Sequence, residues 1–153
     1  MAISYSLEIA APAADVARVL RAAGSFAPEV TAETLLTAGA ATTDGPWVRV
    51  VEPTPKPWHP VITDLGFTPT ASVALRLDKS EDVPAQQDSV VRLASAVLVA
   101  LPGDAVLHRE LESIWLLRRA GSVTANEDHE LLPPQRLAYL GVPYVRETHA
   151  FAE

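Results

Sequence analysis

Seven residues near the start of the chain constrain the fold more than any others. Ile3, Tyr5, Leu7 and Ile9 alternate with Ser4, Ser6 and Glu8, and a period of two is the pleat of a half-buried β-strand. The same pattern returns further on, where Ala71, Val73, Leu75 and Leu77 alternate with Ser72, Ala74 and Arg76. Two strands of this kind call for a sheet with one face covered by other elements and one face wet.

The covering elements are legible between them. Pro12 suits the first turn of a helix, Val16, Val19, Leu20 and Ala23 follow at helical spacing, and Gly24 stands where a left-handed cap is wanted. A second short helix is expected from Thr31 to about Ala38, capped by Thr31, with Leu35 and Leu36 inward and Gly39 at its end. Ala40 to Pro46 reads as loop, and Trp47–Val51 as a short strand with Val48 and Val50 inward. Pro53 to Pro60 holds four prolines in eight residues, too many missing N–H donors for a central strand, so an irregular surface segment is expected there and on through Thr70.

The longest helix is expected from about Val83 to Leu101. Asp82 caps it, Pro84 sits in its first turn, and Val90, Ala94, Val97, Leu98 and Leu101 make an apolar stripe. Pro102-Gly103 stops it. Ala105–Leu111 and Ile114–Arg119 read as strands joined at Glu112-Ser113, and Ala120-Gly121 turns into a further short strand, Ser122–Ala125. From Asn126 onward the chain reads mostly as loop, carrying Tyr139, Tyr144 and Phe151.

The fold class that results is α+β: a single domain over residues 1–153, with a mostly antiparallel sheet of about five strands and two main helices on one face. A ferredoxin-like split β-α-β is the nearest named arrangement, although periodicity does not give strand order.

Several function classes lose support on composition. There is no cysteine, hence no disulfide framework, zinc–thiolate site or thiol nucleophile, and a reducing compartment fits best. The first residues lack a basic region and are interrupted by Ser and Glu, unlike a signal peptide. The longest apolar run, Ala94 to Leu101, is far short of a membrane span; a cytoplasmic protein is expected. The net charge is −7, from 19 acidic and 12 basic residues. That balance opposes nucleic acid and anionic membranes and favours a basic protein partner.

Residue patterns that carry chemistry are scarce in this chain. His59, His108, His129 and His149 are far apart in sequence, and none has a second His at metal-ligand spacing. His129, between Asp128 and Glu130, reads as part of a solvated loop. No G-x-S-x-G elbow, phosphate-binding loop or dinucleotide turn is present, and no cofactor is expected. Glu110 and Glu112 are the remaining catalytic candidates, because on one strand face they would stand about 7 Å apart; the plainer reading is a wet strand face or a hairpin turn. Asp64 and Asp78 read first as turn formers. Trp58, in the proline-rich segment, is either an exposed anchor for a partner or a plug over the core edge, and Trp115 reads as core.

Short matching stretches then point to a family. Met1-Ala2-Ile3-Ser4-Tyr5, Val73-Ala74-Leu75-Arg76-Leu77-Asp78-Lys79, Gly103-Asp104-Ala105-Val106-Leu107 and Leu116-Leu117-Arg118-Arg119 together resemble the immunity-protein family named for the Sit toxin-exchange system, the SitI-type immunity proteins. The resemblance implies a protein that protects its producer by binding a cognate toxin, with no cofactor and no turnover. The chain departs from the family's pattern at Glu110-Leu111-Glu112-Ser113, where a tight Asn-Gly-type hairpin is usual.

The reading that follows is an immunity-type protein that neutralises a cognate toxin, itself expected to be basic, through Trp58, Asp64, Asp78, Glu110 and Glu112. Two alternatives come from other classes: a small enzyme using paired carboxylates, and a homodimeric ligand-binding or structural module joined through a sheet edge.

Overall fold

The computed structural model describes residues 3–152; Met1 and Ala2, with which the family resemblance opens, and Glu153 lie outside the described residues. In chain order the elements are β1 (Ile3–Ile9), α1 (Ala13–Ala23), α2 (Ala32–Thr37), β2 (Ala40–Ala41), β3 (Trp47–Val51), α3 (Pro60–Thr63), β4 (Ala71–Leu77), α4 (Val83–Ala100), β5 (Ala105–Arg109), β6 (Ser113–Arg119), β7 (Ser122–Ala125), α5 (Pro134–Leu137) and β8 (Val145–Arg146). Among the described residues the strands form one sheet in the order β2-β3-β4-β1-β5-β6-β7-β8. Neighbours are antiparallel except β7 and β8, which run parallel.

The middle of that order, β3-β4-β1-β5, is the ferredoxin-like arrangement. Helix α1 crosses from β1 to β3 over β4, and α4 crosses from β4 to β5 over β1, so two split β-α-β units interleave. Strands β6 and β7 stand where the sequence placed them, and the two short strands β2 and β8 raise the count from the expected five or so to eight. Strand β2 lies in a stretch expected to be loop, and β8 in the tail; two residues each carry too little pattern to be seen.

One face of the sheet is built as expected. Tyr5, Leu7 and Ile9 of β1, Val48 and Val50 of β3, and Val73, Leu75 and Leu77 of β4 meet Val16, Ala17 and Leu20 of α1 and Val90, Ala94, Val97 and Leu98 of α4. Thr31 caps α2 and Asp82 caps α4, each side chain accepting a backbone N–H of the first turn. Gly24 differs from expectation: its φ is −85°, so it is not a left-handed cap. It is small because a Cβ there would lie 2.6 Å from the Phe26 ring.

The other face is not wet. Val61, Phe67, Val106, Ile114 and Leu117 form a second buried cluster, with Ala10, Leu65 and Phe151 packed against it. The cover is the proline-rich segment, which folds into α3, and the C-terminal tail. Strands β5 and β6 are apolar on both faces and need that cover, whereas β1 and β4 alone do not announce it. A register shift between Leu107 and His108 sends Trp115 to the helix side, edge-on to Tyr5 at 4.9 Å, while Leu117 stays on the outer side.

The β5–β6 hairpin also turns elsewhere than expected. Its strands end at Arg109 and resume at Ser113, so the turn is centred on Glu110-Leu111 and Glu110 and Glu112 do not share a strand face.

Candidate functional site

The outer layer converges on one buried carboxylate. Glu8, on the outer side of β1, is 6% exposed, and His108, on the adjacent strand β5, is 3% exposed. The His108 Nε2 lies 2.8 Å from Glu8 Oε2. The other ring nitrogen, Nδ1, accepts the Leu111 N–H at 3.0 Å, which leaves the ring proton on Nε2 to be donated to the carboxylate.

His59 repeats the device from the other side. Its Nδ1 accepts the Val61 N–H at 3.2 Å, capping α3, and its Nε2 points at Glu8 Oε1 from 4.0 Å. Phe151 stands edge-on against the His108 ring with centroids 5.5 Å apart, and the next residue, Ala152, donates its N–H to Asp64 Oδ2. The Glu8 carboxylate is therefore bonded to the hairpin through His108, faces the proline-rich segment at His59, and meets the tail where Phe151 packs on the His108 ring.

The hairpin tip is strained. Glu110 and Leu111 have φ of 52° and 61°, and Glu112 N–H donates to Arg109 C=O at 2.8 Å. Two positive φ values at the centre of a turn closed by that bond have the signs of a type I′ turn, the one that Asn-Gly forms without strain. Side chains larger than Asn in this region each cost about 1–2 kcal/mol. The next hairpin, Ala120-Gly121, has the same signs of φ with a glycine at its second position.

Of the five residues expected to meet a partner, four lie on the elements tied to Glu8. Trp58 is 72% exposed, so it is no plug over the core, and it adjoins His59. Asp64 ends α3 and is held by the Thr63 hydroxyl and the Ala152 N–H. Glu110 and Glu112 are exposed on the tip. Asp78 stands apart at the end of β4. It is exposed, its carboxylate holds the Ser80 hydroxyl and N–H, and those bonds keep its pKa below the usual carboxylate value.

Glu110 and Glu112 are exposed on the hairpin tip, whereas the Glu8–His108 pair is buried, with Phe151 against the His108 ring. A groove of about 400 Å³ lies elsewhere, between β7 and the segment leading to β8, lined by Val123, Val142, Tyr144 and Val145. Among the described residues no group of three or more His, Asp or Glu is placed to hold a metal ion.

A protein-family model described as SitI3-like matches residues 3–136, which is most of the chain. The chain belongs to the SitI3-like family. No curated protein and no solved structure matches it. Membership points this SitI3-like protein toward the immunity-type proteins, and the matched span contains Glu8, His59, His108 and the whole hairpin tip. The SitI3-like match stops short of the tail that bears Phe151.

Reasoning from the sequence missed Glu8 and His108. The signal was present: the run Ala105-Val106-Leu107 ahead of His108 is apolar on both faces, so a histidine on that strand had to be buried whichever way it pointed. Its neighbour on β1 was then no longer a wet-face residue.

Proposed function

We propose that the protein is a cytoplasmic, single-domain immunity protein that binds a cognate toxin and neutralises it by covering its working surface. The SitI3-like match over residues 3–136 carries this reading. The role is binding rather than turnover, and the partner is a basic protein rather than nucleic acid or a membrane. Support comes from the net charge of −7, and no helix among the described residues is long and apolar enough to cross a membrane. Trp58, Asp64, Asp78, Glu110 and Glu112 are the contacts proposed, all of them exposed.

The test is co-expression with each toxin-like reading frame encoded beside this one. Cells carrying this protein are expected to survive a toxin that kills cells without it. Equal killing with and without it, for every neighbouring candidate, removes the reading.

A further inference from the structure

The fold retains an unfavourable turn where a favourable one would serve, and what the unfavourable one presents is a leucine. Leu111 is 38% exposed while its N–H is fixed on the buried His108 ring. Glycine at this position would relieve the left-handed backbone and show a partner nothing. Local strain that is over-determined by buried support marks sites selected for something other than stability.

The support reaches a second exposed apolar side chain. Trp58 adjoins His59, which faces the same Glu8 carboxylate that His108 binds. An indole that is 72% exposed on a proline-stiffened segment loses little freedom on being covered, which is what a binding anchor needs. The charges that flank Leu111 at the tip are acidic, Glu110 and Glu112, both exposed. The adjacent Arg109 is half-buried and, by the alternation of β5, lies on the opposite side of the strand from His108.

We infer that Leu111 and Trp58 are paired anchors of one partner-binding surface, held in place by Glu8 through His108 and His59. The partner fitting it is a protein surface with apolar pockets rimmed by Lys or Arg. This rests on the immunity reading above and adds to the contacts named there Leu111, as an anchor paired with Trp58.

The experiment replaces the tip by its unstrained equivalent, Glu110→Asn with Leu111→Gly, and separately makes Trp58→Ala and Glu112→Lys. Val99→Ser, at a residue 60% exposed on α4 across the sheet, is the control. Thermal unfolding of each purified protein is measured beside survival of cells producing the neighbouring toxin. The double variant is expected to melt about 2–4 °C higher than the parent. It is also expected to protect about tenfold less well or worse, as are Trp58→Ala and Glu112→Lys, with Val99→Ser protecting normally.

A double variant that protects as well as the parent overturns the surface while leaving the immunity reading intact. One that melts lower overturns the strain argument. Undiminished protection by Glu112→Lys overturns the basic rim. A parent that protects against no neighbouring toxin removes the immunity reading and this surface together.

Discussion

Tyr5 shows how one side chain can set the alkaline limit of the fold. Its ring is 1% exposed, packed edge-on to Trp115, and its oxygen accepts from Gln87 Nε2 at 3.0 Å. Burial raises its pKa above the ordinary 10.0, more than the Gln87 hydrogen bond and the Arg109 and Arg136 charges lower it. The folded phenol thus keeps its proton where the unfolded one has lost it. Its contribution to stability is full below the unfolded value and is lost as pH rises through the folded one. Urea midpoints at about pH 8 and about pH 11 are expected to differ more for the parent than for Tyr5→Phe. An equal difference in both proteins would show that Tyr5 does not carry the effect. Tyr5 was readable in the sequence as an inward residue of β1; its hydroxyl's partner, eighty-two positions on, was not.

The elements most legible in the sequence were those with long periodic patterns and chemical caps. Helix α4 was expected from Val83 to Leu101 and runs to Ala100, because Asp82, Pro84 and the stripe through Leu98 all agree. What ends it securely was not legible. Arg118, from β6, brings its guanidinium to the helix C-terminus and donates to Leu98 C=O at 2.7 Å, Leu101 C=O at 2.5 Å and Gly103 C=O at 2.7 Å. Those carbonyls have no helical partner of their own, and a cation also suits that end of the dipole. Arg118→Met is expected to destabilise by about 1–3 kcal/mol, the cost of leaving buried acceptors unpaired. Arg118→Lys, with one ammonium in place of the fork, recovers only part of it. Chemical denaturation of both variants checks the order, and a Met variant as stable as the parent would refute the capping role. In the sequence Arg118 stood beside Arg119 as an ordinary charged strand end, since nothing local says that a helix seventeen residues earlier needs donors. Helix α3 and the turn at Glu110-Leu111 escaped for a related reason: four prolines hide a one-turn helix, and Glu-Leu does not spell a type I′ turn.

At the scale of the whole molecule the sheet has cover on both faces, and the Glu8 centre fastens the outer cover to it. His108→Leu removes the donor to Glu8 and the acceptor of the Leu111 N–H together, and is expected to cost about 1–3 kcal/mol or more because a charged group is left unpaired. Glu8→Gln still offers an oxygen to His108 and is expected to cost less. Hydrogen exchange is expected to quicken first at the Leu111 and Val61 amides in the histidine variant, ahead of the helix-side strands. Uniform quickening across both faces would mean that the outer layer is not a separate unit. The one-sided amphipathic reading of β1 hid this layer, because alternation shows which residues are apolar and says nothing of how a carboxylate on the opposite side is accommodated.

The place of β1 in the sheet has a consequence for how the chain can be made. Its two neighbours, β4 and β5, are both synthesised after it, and Ile9 pairs with Ala71 on one side and Ala105 on the other. A nascent chain must carry Tyr5, Leu7 and Ile9 without a full set of neighbours until the strand at Ala105 has been made. The ribosome exit tunnel has to release His108 before this central strand can be enclosed on both sides, so the segment that organises the fold is made well before the last of its partners.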